Sequence, residues 1–217
     1  MFKNSHNKKN GFTLIELIVV ISIMAIMSGV AIFNYSDFRA HVSLQNLADD
    51  VALSVRKAQS YAIGVRGYNN LFSGYGVHFN LDSKNNGSHF GDNKSFIIFA
   101  NIDNDDIYRT DGKDCGQPSK ENECLENLTI TGPDKISEII IGLKGGEEIR
   151  TKEEGVLDIF FNRPNPEPSF CFRKSYNNGS CDEDSSISYV KIAVSNINNT
   201  DKNKIITIWN NGQISID

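Results

Sequence analysis

Gly11-Phe12-Thr13-Leu14-Ile15-Glu16-Leu17-Ile18-Val19-Val20-Ile21-Ser22-Ile23-Met24-Ala25-Ile26-Met27-Ser28 is the stretch from which the rest of the chain is read. Between Phe12 and Phe33 there are twenty-two residues, and Glu16 is the only charged one. At ~1.5 Å per residue a helix over that run is roughly 33 Å long, enough for a bilayer core. A carboxylate near the start of such a run costs roughly 2.5 kcal/mol or more in lipid, so Glu16 calls for a partner. Upstream, Met1–Gly11 carries Lys3, Lys8 and Lys9 and no acid. Those lysines predict a leader held in the cytoplasm and a chain whose bulk faces outward. A secretory signal peptide would set its charge against a 7–15 residue apolar core and end in a small-residue cleavage site. Here Glu16 sits where that core should begin, and Leu17–Phe33 runs on without a charge.

The order Gly11-Phe12-Thr13-Leu14-Ile15-Glu16 after a short basic leader resembles the class III signal of type IV pilins and type II secretion pseudopilins. The resemblance implies cleavage by a prepilin peptidase between Gly11 and Phe12, with methylation of the new Phe12 amine. It also supplies a partner for Glu16: the positively charged Phe12 amine of its own or a neighbouring subunit, since a buried carboxylate is tolerable only when paired. The implied partners are other subunits through their N-terminal helices, the peptidase, the inner-membrane assembly platform and the lipid bilayer. The implied location is the inner membrane, single-pass with the head outside the cytoplasm, and then an extracytoplasmic filament. Many members of the family carry a proline near the end of the apolar run. This chain has Phe33 and Asn34 there and no proline before Pro118.

Composition fits that picture. The chain has 22 basic and 27 acidic residues, a formal net charge of −5. Removing Met1–Gly11 would take away three lysines and no acid, moving the charge from −5 to −8. That balance argues against a general nucleic-acid binder, which needs a basic footprint.

After the anchor, Phe38, Val42, Leu44, Leu47, Ala48, Val51, Val55, Ala58, Ala62 and Ile63 recur at three- and four-residue steps. This predicts an amphipathic continuation of the helix, ending near Gly64 or Gly67. Short runs rich in β-branched or aromatic residues predict strands at 76–81, 96–100, 136–141, 157–161 and 187–194. Asn211-Gly212 fits a two-residue hairpin turn that pairs Trp209 with Ile214 and Thr207 with Ile216. Ile205, Trp209, Ile214 and Ile216 then form its apolar face. The fold class is α+β, a long N-terminal helix, transmembrane in its first half, laid on an antiparallel β-sheet head, as in the pilin fold. The expected divisions are 1–11 leader, 12–36 transmembrane helix, 37–66 its amphipathic continuation and 67–217 the β-rich head. The helix end at 51–63, the strand Tyr75-Gly76-Val77-His78-Phe79 and the closing Asn211-Gly212-Gln213-Ile214-Ser215 resemble the H-type, FimT-like minor pseudopilins. In the FimT-like proteins tied to DNA uptake arginines follow the closing turn, whereas Gln213, Ser215 and Asp217 follow it here.

Four cysteines lie beyond the anchor, and an exported even set predicts disulfides with three open connectivities. Proximity favours Cys115–Cys124 and Cys171–Cys181. Zinc is the rival, but these spacings lack a C-x₂-C signature. Asn101, Asp103 and Asp105 have the alternate spacing of a calcium loop and Asp111 could add a ligand. Yet Asp106 replaces the turn glycine and Gly112 the closing Glu, so a solvated acidic turn is expected instead. His6, His41, His78 and His89 fall in the leader, the helix, a strand and a polar loop. No Ser-His-Asp order, HExxH or P-loop supports an enzyme, and no cofactor is implied. The expected role is a structural filament subunit, a minor pilin or pseudopilin. The alternative is a membrane-tethered binding module, adhesin or DNA-uptake receptor, that never polymerises.

Overall fold

The computed structural model describes residues 11–64, 67, 74–81, 91–103, 105, 107–152, 154–174, 181, 186–197 and 202–217. The leader lysines, His6 and His89 lie outside the described residues, as do the side chains of 31, 33, 34, 36 and 37 within the helix. The chain divides into two compact units, with the boundary between His41 and Val42.

In the first unit, helix α1 begins at Leu14 and runs without a break through the boundary to Ile63. Its start is set by a capping box. Thr13 at the N-cap donates its backbone N–H and its hydroxyl to Glu16 Oε2, at 2.9 and 2.8 Å, and the Glu16 N–H returns to Thr13 Oγ1 at 3.4 Å. Beyond the cap the large apolar side chains from Leu14 to Val30 stand exposed. Among the described residues no helix is long and apolar enough to cross a membrane.

In the second unit, α1 buries Leu44, Leu47, Ala48, Val51, Ala52, Val55, Ala58 and Ala62, a stripe at helical spacing. Val42 and Ile63, on the same periodic pattern, are exposed, and so is Phe38 in the first unit. The helix stops as expected: the Gly64 N–H closes the last turn on the Ser60 carbonyl at 2.8 Å.

Among the described residues, ten strands form two five-stranded antiparallel sheets. Sheet 1 has the order β3-β2-β1-β6-β7, built from β1 (Gly74–Asn80), β2 (Ser95–Asn101), β3 (Cys124–Thr129), β6 (Val156–Phe161) and β7 (Pro168–Arg173). Sheet 2 has the order β10-β9-β8-β4-β5, built from β4 (Asp134–Leu143), β5 (Glu148–Thr151), β8 (Ile187–Asn196), β9 (Asn203–Trp209) and β10 (Ile214–Ile216). One core joins the α1 stripe, Val77, Phe79, Phe96, Ile98, Leu157 and Ile159 of sheet 1, and Ile139, Ile141, Val190, Ile192, Val194, Ile206 and Ile208 of sheet 2.

Sheet 1 has a second core on its other face, where Ile97, Phe99 and Phe160 meet Ile107, Tyr108, Cys124 and Cys171. Residues of β1, β2 and β6 are therefore buried on both faces, which explains why β2 and β6 read as dense apolar runs; β1, which reads as alternating, buries His78 and Asn80 as well. Gly76 makes room for that second layer: a Cβ there would sit 2.6 Å from the Phe99 ring.

The C-terminal hairpin corrects the expected register. Trp209 N–H bonds to Gln213 O at 2.9 Å, and Gly212, at φ +83°, donates back to Trp209 O. The loop thus holds three residues, 210–212, and Ile208 pairs with Ile214, Thr207 with Ser215 and Ile206 with Ile216. One residue of slip exchanges the faces. Ile206 and Ile208 point into the core with Ile214 and Ile216 packed beside them, while Ile205 and Trp209 turn outward.

Candidate functional site

Gly11 and Phe12 precede the first turn of α1, and Phe12 is 90 % exposed. Thr13 onward is engaged in the helix cap. Glu16 occupies the third position of α1, its carboxylate held within its own chain by Thr13. The Thr-x-x-Glu spacing that builds this cap is readable in the sequence, but the cost of a charge in an apolar run points to a cationic partner instead.

Of the calcium candidates, Asn101 is fully buried in β2. Asp103 and Asp105 converge on a cation already in the chain: Arg109 Nε lies 3.1 Å from Asp103 Oδ2 and 2.6 Å from Asp105 Oδ2. Asp111 is engaged apart from them by Lys113. Among the described residues no three His, Cys, Asp or Glu side chains are grouped to hold a metal ion.

The cysteines pair as proximity suggested. Cys115–Cys124 and Cys171–Cys181 form disulfides with Cα separations of 4.7 and 5.1 Å. All four residues belong to or pack on the second core, so both bridges lie on the outer face of sheet 1.

The same layer encloses charges that the sequence did not bring together. His78 Nδ1 lies 2.6 Å from Asp158 Oδ1, and Arg173 Nη2 donates to Asp158 Oδ2 at 2.6 Å. The three come from the adjacent strands β1, β6 and β7, and all are buried. His78 and Asp158 are direct register partners, as are Asp158 and Cys171. Burial pushes the Asp158 carboxyl up, but His78 and Arg173 outweigh it and hold it below the usual carboxylate range. With the Tyr108 ring 4.6 Å from the imidazole, the trio is closed in. It is a packed polar cluster.

Glu123 is a further buried carboxylate. It accepts the backbone N–H of Ile102 at 2.6 Å and of Arg109 at 3.1 Å, pinning both ends of the Ile102–Arg109 loop. Burial pushes its pKa up to about 8, the two amides pull it down, and Asp103 and Asp105 add to the rise.

The chain carries the prokaryotic N-terminal methylation motif: the family model of that description matches residues 6–32, which include Gly11, Phe12 and Glu16. In three dimensions the chain is loosely similar to the type IV minor pilin FimU of Pseudomonas aeruginosa strain PAO1, in two crystal forms. The P21 form has 12 % identity and a TM-score of 0.39 over 85 % of this chain and 92 % of that one. The P65 form has 12 % identity and a TM-score of 0.37 over 80 % of this chain and 92 % of that one. No curated protein matches the sequence.

Proposed function

We propose that the chain is a minor pilin or pseudopilin, a structural subunit of a type IV pilus or a type II secretion pseudopilus. The observation that carries this reading is the methylation motif over residues 6–32, with Glu16 on the first turn of α1. A prepilin peptidase cuts between Gly11 and Phe12, and the Phe12 amine is methylated. The apolar run from Phe12 to Phe33 anchors the subunit in the inner membrane with its head outside the cytoplasm. An assembly platform then extracts it into a filament in which neighbours meet through their N-terminal helices. Glu16 sets register by meeting a Phe12 amine, for which it must exchange part of its bonding to Thr13.

N-terminal mass mapping after co-expression with a prepilin peptidase tests the first step. The expected terminus is Phe12, heavier by one methyl group. An intact Met1 terminus, or a cut after Phe33, overturns the reading and favours a tethered or secreted binding module. The capping box separates the two roles of Glu16. Glu16→Gln keeps an acceptor for Thr13 but removes the charge, whereas Glu16→Ala removes both. Both variants are expected to be exported and to be lost from filament pull-downs. Normal incorporation of Glu16→Gln would reduce Glu16 to a helix cap.

A further inference from the structure

The first turns of α1 within the second unit line a cavity of about 420 Å³ together with the end of β3. Ser43, Leu47 and Asp50 fall on one helix stripe, because steps of four and three residues return to the same side. The remaining wall comes from Phe96 of β2, Leu128 of β3 and the residues after it, up to Asp134 at the start of β4. The floor is apolar: Leu47, Phe96 and Ile130 are buried, and Leu128 is half-buried.

A carboxylate stands at each end of this floor. Asp134, only 1 % exposed, accepts Asn196 Nδ2 on Oδ1 at 2.8 Å and the Ser43 hydroxyl on Oδ2. A carboxylate offers about four acceptor sites, so two donors leave room for another. Asp50 is exposed; its carbonyl accepts Ser54 Oγ at 2.8 Å, and among the described residues its carboxylate has no partner. From Ser43, which holds Asp134, to Asp50 the helix climbs roughly 10 Å at its ordinary rise. Asn46, Thr129 and Thr131 add only uncharged groups to the rim, and none of the described lining residues is basic. Lys94 is engaged by the Gly132 and Asp134 carbonyls, at 2.6 Å each, and does not line the cavity.

The apolar floor, the two acids and their separation together select an occupant. An anion is repelled from both ends. A neutral molecule displaces water from Asp134 without bringing a charged donor to it. A metal ion leaves the floor bare, and a lysine side chain of another protein brings one ammonium to two carboxylates. A straight-chain diamine meets all three features, its methylenes on the floor and an ammonium at each end. A charge-assisted hydrogen bond of about 2.8 Å at either end leaves roughly 5 Å between the nitrogens, the reach of three or four methylenes. We propose that this cavity binds a short α,ω-diamine, one ammonium on Asp134, the other on Asp50, and the stem over Leu47, Phe96 and Ile130. The site lies wholly in the second unit, so it serves a filament subunit and a tethered module alike.

Isothermal titration calorimetry of the full chain, in a zwitterionic detergent and a dilute amine-free buffer at neutral pH, tests this with butane-1,4-diamine, butylamine and Mg²⁺. Low ionic strength keeps the exposed Asp50 unscreened. Saturable binding of one diamine with a Kd below about 5 mM is expected. Butylamine, with a single ammonium, should bind about fivefold more weakly or worse, and equimolar Mg²⁺ should not displace the diamine. Asp50→Asn, at an exposed helix position, should weaken the diamine about fivefold and leave butylamine nearly as before. Asp134→Asn, checked for native circular dichroism, should weaken both, and if it misfolds Asp50→Asn decides alone. Asp114→Asn, in the loop before Cys115, should change neither. No saturation up to about 20 mM overturns the proposal. So does butylamine or Mg²⁺ binding as well as the diamine, or a diamine affinity indifferent to Asp50→Asn. None of these outcomes bears on where the N-terminus is cut.

Discussion

Sheet 1 carries a second buried cluster on its outer side, whereas on the outer side of sheet 2 Tyr189, Lys191 and Trp209 stay partly exposed, and each sheet carries a charge cluster there. On sheet 1 the cluster is His78, Asp158 and Arg173, sealed under Tyr108 and the disulfide-tied loops. On sheet 2 it is Glu148 with Arg150, Lys191 and the Tyr189 hydroxyl, all reached by water. The bonds have similar lengths in both places. What differs is the alternative open to each group when a partner is removed: water is at hand on sheet 2 and absent on sheet 1. The same kind of ion pair is therefore a stability element in one sheet and a pliable surface in the other.

The sharpest way to break this contrast is Asp158→Ala, which leaves Arg173 buried without its carboxylate. A loss of about 3–5 kcal/mol in denaturant unfolding is expected. A loss under about 1 kcal/mol would place sheet 1 on the same footing as sheet 2. Next comes pH. The folded Glu123 has a pKa of about 8, above its ordinary 4.5, so between those values the native state binds more protons than the unfolded chain. Stability from this group is complete below about pH 4.5 and is lost as pH rises through about 8, on the order of 5 kcal/mol in all. Glu123→Gln should flatten that part of the stability curve measured by thermal melts. Asp158 acts in the opposite sense, its contribution falling away only in acid.

Smaller still is the Cys115→Ser, Cys124→Ser double variant. Opening a loop of nine-residue separation is expected to cost about 2–3 kcal/mol, with hydrogen exchange accelerating over 102–124 and not in sheet 2. At the bottom of the scale, Lys191→Ala should change unfolding by less than about 0.5 kcal/mol, because Glu148 keeps Arg150 and Tyr189. A larger loss would mean that the outer face of sheet 2 is a structural surface after all.

The same contrast governs what could be read from residues alone. The helix was legible because its buried stripe from Leu44 to Ala62 keeps a strict period, and the central strands because their apolar runs are dense. Three of the four edge strands were not anticipated. β3 mixes Glu126 and Asn127 into its run, β5 is only Glu-Ile-Arg-Thr, and β7 opens on Pro168. Edges carry charge and proline to deter further pairing, which dilutes the pattern that marks a strand. The hairpin slipped by one residue because Asn-Gly suits a two-residue loop, while Gly212 in fact closes a three-residue one. His78, Asp158 and Arg173 are far apart in sequence and meet only through the β1–β6–β7 register, which no local spacing encodes. The methylation motif was the most legible feature, since Gly11, Phe12 and Glu16 sit within one short stretch of it.

The Thr13–Glu16 cap has a consequence for timing. The cap of α1 is built by Thr13 and Glu16, both downstream of Gly11. A cut after Gly11 would therefore remove a tether without unravelling the helix behind it. Were the proposed cut made, the new end would carry a capped first turn with a single residue, Phe12, ahead of the cap.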